Sequence, residues 1–155
     1  MRVADIITPE RILPEMRSQT KREALSELAT LVAGFSPELR ERVERVLADR
    51  ERLASTAIGD EVAIPHGKLD ALGSLVMGLG RSTAGLEFES VDGRPTRLFF
   101  VLLAPENETG LHLKALARIS RLCKEPHFRE RMVAAADAAE MYRVLCSEDE
   151  KFQGL

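Results

Sequence analysis

The sequence is poor in the residues and segments that mark several classes of protein. Among its 155 residues are two cysteines and three histidines, and acidic side chains outnumber basic ones to give a net charge of −3. This charge gives no basic surface of the kind that nucleic-acid-binding proteins carry. No stretch approaches the roughly 20 apolar residues that span a bilayer. The N-terminal segment lacks the apolar region of a signal peptide, so the sequence predicts a cytoplasmic protein.

Common catalytic and cofactor-binding signatures are also missing. The sequence contains no G-x-S-x-G, no P-loop and no G-x-G-x-x-G, and no closely spaced histidine pair typical of zinc sites. Cys123 and Cys146 have neither metal-type nor redox-type spacing, and both are predicted to be buried thiols in a reducing compartment. We therefore expect no cofactor and no metal. A zinc protein built on the three histidines is a minor alternative.

What the sequence does contain is a mixture of helical and strand patterns over its whole length. It is 45% apolar and 30% charged, which is typical of a globular protein. We expect one domain over residues 1–155, with a core from about residue 3 to residue 147. The absence of strict strand–helix alternation favours a mixed β-sheet sandwiched between helices, a three-layer α/β/α arrangement.

Helix-capping residues and apolar spacing place the elements. Helices are predicted after the caps Thr20, Ser36, Thr109 and Asp137, a short helix is predicted to begin at Pro126, and the C-terminal tail is expected to fray. Strands are predicted near residues 3–7, at 62–64 and 75–79, and in a hairpin that turns at Asp92-Gly93 and continues into "LFFVLLA". This last run is apolar throughout, which indicates a central strand covered on both faces.

The segment "AIGDEVAIPHGKLDAL" holds the strongest candidate for chemistry. Its apolar strand runs into Pro65, His66 and Gly67. Pro65 restricts the backbone on either side of it, and Gly67 has no side chain to obstruct an approaching group. Neutral imidazole is a good nucleophile near neutral pH and also a common metal ligand. The tripeptide alone leaves both roles open, together with that of an ordinary turn.

Two more residues stand out in their helices. One face of the helix after Ser36 is predicted to be buried, and Arg50 occupies a position on it where an apolar residue is expected. The predicted stripe is Leu39, Val43, Val46, Leu47, Arg50 and then Leu53 or Ala54. A guanidinium there either has an anionic partner or extends to solvent at the edge of the stripe. His112 lies at roughly the third position of the helix that Thr109 caps, where the free N–H groups favour an anion. It either contacts such an anion or merely fills the helix start. His127, at another helix start, is expected to be exposed.

Nearly the whole chain resembles the enzyme IIA domains of the fructose/mannitol type of the phosphotransferase system. The resemblance rests on "DRERLASTAIGDEVAIPHGK", "DGRP" and "HLKALARIS" in this order. It implies the mannitol-type enzyme IIA fold and a phosphotransferase with a phosphohistidine intermediate. In that family the histidine of the "PHG" motif is phosphorylated, which corresponds to His66. The second active-site histidine corresponds to His112, and the site arginine corresponds to Arg50.

The resemblance also implies partners and a physiological role. The donor is expected to be a histidine-containing phosphocarrier protein, and the acceptor an enzyme IIB domain or a regulated protein. The lysine of "IPHGK" and the single enzyme IIA unit in these 155 residues favour nitrogen-type regulation over sugar transport. The alternatives are a fructose- or mannitol-specific enzyme IIA and a binding module of the same fold that carries no phosphoryl group. Neither nucleic-acid binding nor membrane insertion is expected.

Overall fold

A computed structural model describes residues 1–152 of the chain, which form one mixed sheet with helices on both sides. The helices are α1 (Lys21–Ala33), α2 (Pro37–Leu53), α3 (Thr109–Cys123), α4 (Pro126–Ala134) and α5 (Ala138–Glu150). The strands are β1 (Ile12–Leu13), β2 (Ala57–Gly59), β3 (Val62–Ala63), β4 (His66–Lys68), β5 (Val76–Leu86) and β6 (Thr96–Ala104). Within residues 1–152, no helix is long and apolar enough to cross a membrane.

Strand β6 is the centre of the sheet. The strand order is β1-β5-β6-β3-β2, and β4 pairs with β6 beyond the end of β3. β5 lies antiparallel to β6, whereas β3 and β4 both lie parallel to it. Every residue from Leu98 to Ala104 is buried, so the prediction of a central strand covered on both faces is confirmed.

The two faces of the sheet carry separate apolar cores. Along β6, Phe100 and Leu102 point toward α3, α4 and α5, whereas Phe99 and Val101 point toward α1 and α2. This alternation follows from the two-residue period of a strand. The predicted three-layer α/β/α architecture is therefore confirmed.

Three of the four predicted helix caps, Thr20, Ser36 and Asp137, are confirmed. The Thr20 hydroxyl accepts a hydrogen bond from the Glu23 N–H (3.2 Å), and the Ser36 hydroxyl accepts one from the Leu39 N–H (3.2 Å). The Asp137 carboxylate does the same at the start of α5. Only Thr109 differs, because it is the first helical residue and Glu108 is the N-cap, with no side-chain hydrogen bond.

The predicted strand at residues 3–7 is wrong. Residues Val3–Asp5 form a short 3-10 helix, although Val3 and Ile7 are both buried as their apolar character requires. The Val3 N–H donates to the carboxylate of Asp149, 2.7 Å away and 146 residues later in the sequence. Such a distant partner leaves no local signal, so the apolar pattern alone suggested a strand.

Three smaller predictions also need correction. β5 and β6 pair as a hairpin, but the loop between them runs from residue 87 to residue 95, so Asp92-Gly93 is not a two-residue turn. The tail does not fray at residue 148, because α5 continues to Glu150, and residues 153–155 lie outside the described part of the chain. Cys123 is buried as expected, but Cys146 is only half-buried.

The topology brings three elements to one edge of the sheet. β3, Pro65 and β4 run beside β6 in the same direction, so His66 lies opposite Leu102 near the end of β6. The chain leaves β6 at that edge and enters α3 within a few residues. Helix α2 packs on β4 through Val46, above Gly67. His66, the start of α3 and the last turns of α2 are thus assembled together.

Candidate functional site

The His66 ring is held in one tautomer by its own strand. Its Nδ1 lies 2.7 Å from the carbonyl oxygen of Ile64. A carbonyl oxygen only accepts hydrogen bonds, so Nδ1 carries the proton and Nε2 carries the lone pair. The strand itself is fixed because the Pro65 carbonyl accepts from the Leu102 N–H at 2.9 Å. The half-buried ring therefore presents an unprotonated nitrogen.

The surroundings of His66 favour the neutral ring. Burial lowers the pKa of His66 from its ordinary value, the hydrogen bond to Ile64 opposes this, and the positive charge of Arg50 lowers the pKa further. A neutral imidazole with a free Nε2 is the nucleophilic form of histidine.

His112 faces His66 from the first turn of α3. The two ring centroids lie 5.5 Å apart, and the ring planes meet at 71°. His112 is the fourth helical residue instead of the third, so its backbone N–H already donates to the Glu108 carbonyl at 3.0 Å. What it offers to a ligand is therefore its side chain and not a free helix-terminal N–H.

The side chain of His112 has an unused polar atom. His112 is only 6% exposed, and its Nε2 has no hydrogen-bond partner among residues 1–152. Burial lowers the pKa of His112 to about 4, and the unfavourable interaction of a protonated His112 with Lys68 and with the His66 ring acts in the same direction. Buried polar atoms are nearly always paired, so an unpaired Nε2 beside His66 marks a place for an external hydrogen-bond partner. Of the alternatives open for His112, contact with an anion fits better than filling the helix start.

Arg50 supplies a permanent positive charge to the same place. It is half-buried, its Nη1 donates to the Ala54 carbonyl at 2.8 Å, and its charge acts on the His66 ring. Within residues 1–152 no carboxylate forms an ion pair with it. The predicted apolar stripe ends before Arg50, since Leu53 is 81% exposed and Ala54 is exposed. Arg50 thus lies at the edge of the stripe, with donors left for an anion.

The remaining histidine does not belong to this group. His127 is exposed at the start of α4, as predicted. Within the described part of the chain, no group of three or more His, Cys, Asp or Glu side chains is arranged to hold a metal ion. The zinc alternative therefore finds no ligand set in residues 1–152.

The prediction that Gly67 leaves the His66 ring open to an approaching group is wrong. Gly67 is buried, and a Cβ there would overlap Cγ1 of Val46. Glycine at this position lets α2 pack directly on β4. The nearby Lys68 is exposed, and its Nζ donates to the Thr109 hydroxyl at 2.8 Å, so its ammonium group lies at the start of α3.

Glu51 was not predicted from the sequence to be a buried residue of the site. This residue is 8% exposed and follows Arg50 directly. Its position four residues after Leu47, itself four after Val43, was the available signal, since i and i+4 share one helix face. The apolar pattern drew attention to Leu53 instead.

Together these groups form a site suited to a tetrahedral anion that carries an electrophilic centre. One nitrogen of His66 is a nucleophile, Nε2 of His112 is an unpaired polar atom, and Arg50 and Lys68 contribute positive charge. Such positioning and charge stabilisation are the main contributions a protein makes to phosphoryl transfer.

Comparisons with known proteins agree with this chemistry. The family model described as "Phosphoenolpyruvate-dependent sugar phosphotransferase system, EIIA 2" matches residues 5–148. A "Nitrogen regulatory protein" of Bradyrhizobium diazoefficiens is 43% identical over 145 residues, which are 94% of this chain and 95% of that protein. The "PTS system fructose-specific EIIABC component" of Bacillus subtilis is 29% identical and is matched by 96% of this chain, but over only 24% of its own length.

A solved structure supports the same relationship. The crystal structure of nitrogen regulatory protein IIA-Ntr from Neisseria meningitidis matches with a TM-score of 0.85 at 29% identity, covering 92% of this chain and 98% of that one. The resemblance seen in the "IPHGK", "DGRP" and "HLKALARIS" segments is confirmed by the family model, the relatives and the fold. The chain belongs to the enzyme IIA type 2 family of the phosphoenolpyruvate-dependent phosphotransferase system.

Proposed function

We propose that His66 accepts a phosphoryl group on Nε2 from a histidine-phosphorylated carrier protein and holds it as phosphohistidine. Family membership makes the chain a phosphoryl carrier of the phosphotransferase system, related to nitrogen regulatory proteins. The observation that carries the finer proposal is the 2.7 Å hydrogen bond from Nδ1 of His66 to the Ile64 carbonyl. It commits Nδ1 and leaves Nε2 as the nucleophile.

The transfer step needs no change of protonation at His66. The Nε2 lone pair attacks phosphorus, a P–N bond forms at His66, and the P–N bond to the donor histidine breaks. The electron pair of the broken bond returns to the donor imidazole. Nδ1 keeps its proton throughout, and the Ile64 carbonyl stabilises the positive charge that the ring acquires.

His112 and Arg50 stabilise the transferring group. The Nε2 of His112 has no partner within residues 1–152. We propose that the neutral ring carries its proton on this nitrogen and donates a hydrogen bond to a phosphoryl oxygen. Because the pKa of His112 is lowered to about 4, the ring stays neutral near pH 7 and donates without carrying charge. The Arg50 guanidinium contributes the positive charge, and its fork of donors matches phosphoryl oxygens.

The surface around the site fits protein partners. Leu53 on α2 and Leu113 on α3 are 81% and 62% exposed, and they belong to the helices that carry Arg50 and His112. Exposed apolar side chains beside a polar centre are typical of protein-binding surfaces. The donor is a histidine-phosphorylated carrier protein that docks there, and a regulated protein is the target.

Nitrogen-type regulation is the better supported role. The Bradyrhizobium relative is a nitrogen regulatory protein at 43% identity, whereas two fructose-specific relatives, from Haloferax volcanii and Bacillus subtilis, are 33% and 29% identical. Transfer to an enzyme IIB domain is the second candidate, and the fructose-specific EIIABC component is the observation that favours it.

The test is intact-mass measurement after incubation with a phosphorylated histidine carrier. The wild-type chain should gain one acid-labile phosphoryl group, and His66→Ala should gain none. His127→Ala is the matched control, because His127 is exposed and lies at a different helix start. A wild-type chain that stays unlabelled by an active donor, or a His66→Ala chain that is still labelled, would contradict the proposal.

A further inference from the structure

We infer that Glu51 is a positioning residue of this site, because its carboxylate ties the end of α2, which carries Arg50, to Thr56, whose carbonyl in turn holds the segment that leads into His66. This role of Glu51 rests on the proposed function of His66, whereas the hydrogen bonds that support it are seen directly in the structure. Nothing in the transfer step requires Glu51 to touch the phosphoryl group.

The carboxylate of Glu51 is buried and fully engaged. It accepts from the Thr56 N–H at 3.0 Å and from the Thr56 hydroxyl, and the Lys21 ammonium lies 3.1 Å away. A carboxylate removed from water is costly unless it is paired and hydrogen-bonded. These contacts therefore fix Thr56 firmly to the last turn of α2.

From Thr56 the connection continues to the reactive ring. The Thr56 carbonyl accepts from the Ile64 N–H at 2.9 Å, and the Ile64 carbonyl accepts from Nδ1 of His66 at 2.7 Å. Three hydrogen bonds in series thus link Glu51 to the nitrogen that sets the His66 tautomer. The negative charge of Glu51 also reaches the ring, where it raises the pKa against the larger lowering by burial.

The same carboxylate holds the other half of the site. The Arg50 guanidinium donates to the carbonyl of Ala54, the residue that follows the last residue of α2 and begins the short connection to Thr56. Glu51 closes that connection by bonding to Thr56. The separation of Arg50 from His66 therefore depends on a loop whose two ends Glu51 holds together.

A purely structural role is the alternative, and the chain contains a control for it. Glu27 pins another loop with the same kind of contacts, accepting from the Ser18 N–H at 3.1 Å and from the Ser18 hydroxyl. No hydrogen bond of Glu27 leads to His66. If pinning a loop were all that Glu51 did, Glu51→Gln and Glu27→Gln would have equal effects on His66.

The experiment compares Glu51→Gln with Glu27→Gln in the full chain. Glutamine keeps the size of the side chain but loses one acceptor oxygen and the charge. The rate constant for labelling His66 should fall at least fivefold in Glu51→Gln with an unchanged KM for the phosphorylated donor. Long-range ¹H–¹⁵N NMR of the unphosphorylated protein should show a new Nε2-protonated fraction of His66. Glu27→Gln should match the wild type in both measurements.

A second pair of variants keeps the inference testable if Glu51→Gln does not fold. Thr56→Val removes the hydroxyl that Glu51 accepts from, and Thr56→Ser restores it. Thr56→Val should lower the labelling rate and raise the Nε2-protonated fraction of His66, both by less than Glu51→Gln does. Both quantities should be closer to the wild-type values in Thr56→Ser. A wild-type tautomer and labelling rate in Glu51→Gln and Thr56→Val would overturn the inference, as would equal losses in Glu27→Gln.

Failure of the inference is distinguishable from failure of the proposed function. The tautomer measurement uses no phosphoryl donor, so it decides whether Glu51 sets the His66 ring even if the wild-type chain is never labelled. Conversely, normal labelling of Glu51→Gln would leave the phosphoryl-carrier role intact and remove only the role of Glu51.

Discussion

Two arginines on opposite sides of the sheet show how the same side chain serves structure in one region and chemistry in another. Arg81 on β5 is 7% exposed, and it donates to the carbonyls of Pro14, Met132, Val133 and Ala135 at 2.7–3.1 Å. Arg50 on α2 donates to one carbonyl and has no ion-pair partner within residues 1–152. A guanidinium whose donors are used up ties elements together, whereas one with donors to spare binds an anion.

The largest expected effect lies at the structural arginine. Arg81→Met removes the donor that four carbonyls share, of which those of Met132 and Ala135 are buried, and an unpaired buried carbonyl costs about 1–3 kcal/mol. Allowing for water at some of them, we expect the free energy of unfolding to fall by roughly 4 kcal/mol, at the upper end for single substitutions. Urea denaturation measures this loss. The labelling rate of His66 in the folded fraction should not change. A slower rate would mean that Arg81 contributes to the chemistry of His66 as well as to stability.

Substitution of Arg50 should slow the labelling of His66 and leave the free energy of unfolding nearly unchanged. Arg50→Met should slow labelling of His66 by about 100-fold, the usual effect of removing one stabilising donor. Its stability should stay within about 0.5 kcal/mol of the wild type, as at other sites without buried partners. Single-turnover labelling and urea denaturation on the same sample test both halves. Arg50→Lys is the matched variant, and it should recover only part of the rate because it lacks the guanidinium fork.

Gly67 lies next to His66, but we expect it to affect the stability of the fold and not the chemistry of the site. Gly67→Ala places a Cβ against Cγ1 of Val46 and should lower the free energy of unfolding by about 1–3 kcal/mol, as other overpacked sites do. Gly110→Ala is the control, since a Cβ there meets nothing within 4 Å. The double variant Gly67→Ala/Val46→Ala should recover stability. An unchanged Gly67→Ala protein would mean that α2 moves aside easily.

The free energy of unfolding should also depend on pH, through the two histidines of the candidate site. The pKa of His112 is lowered from 6.5 to about 4, so the unfolded chain takes up a proton at a higher pH than the folded chain does. His112 therefore favours the folded state above pH 6.5, and this contribution is lost as the pH falls toward 4. The lowered pKa of His66 acts in the same direction. Denaturation at pH 7 and pH 5 should show a smaller difference in His112→Gln than in the wild type.

The smallest expected effect concerns Lys68. Its ammonium group is exposed and bonded to Thr109, so it contributes under about 1 kcal/mol to holding an anion. Lys68→Ala should slow labelling by about threefold, a value within that limit. An unchanged rate would assign Lys68 to partner binding, and a loss as large as that of Arg50→Met would place it among the residues that stabilise the transferring group.

The parts of the fold that the sequence predicted well are those with local causes. Thr20, Ser36 and Asp137 begin their helices through hydrogen bonds three residues away, and the apolar run of β6 can only be a covered strand. The segment at residues 3–7 failed because its partner, Asp149, is at the other end of the sequence. The single-domain organisation over residues 1–155 stays a prediction.

The residues of the candidate site also differ in whether the sequence alone could identify them. His66 was found because proline and glycine flank it, and Arg50 because it breaks an apolar stripe. The pairing of His66 with His112 needed the family resemblance, since no spacing rule connects residues 46 positions apart. Glu51 and the packing role of Gly67 depend on contacts of α2 with Thr56 and with β4, which only the folded chain brings together.

The contact of Val46 on Gly67 also bears on how the protein would signal. With no side chain between them, α2 and β4 are in direct contact, so we expect the helix of Arg50 and the strand of His66 to move little relative to each other. A phosphoryl group on His66 would then change the charge of the surface by nearly two units with little change in its shape. We therefore expect a partner to distinguish the two states of this protein by electrostatics, and its discrimination between them to weaken as the salt concentration rises.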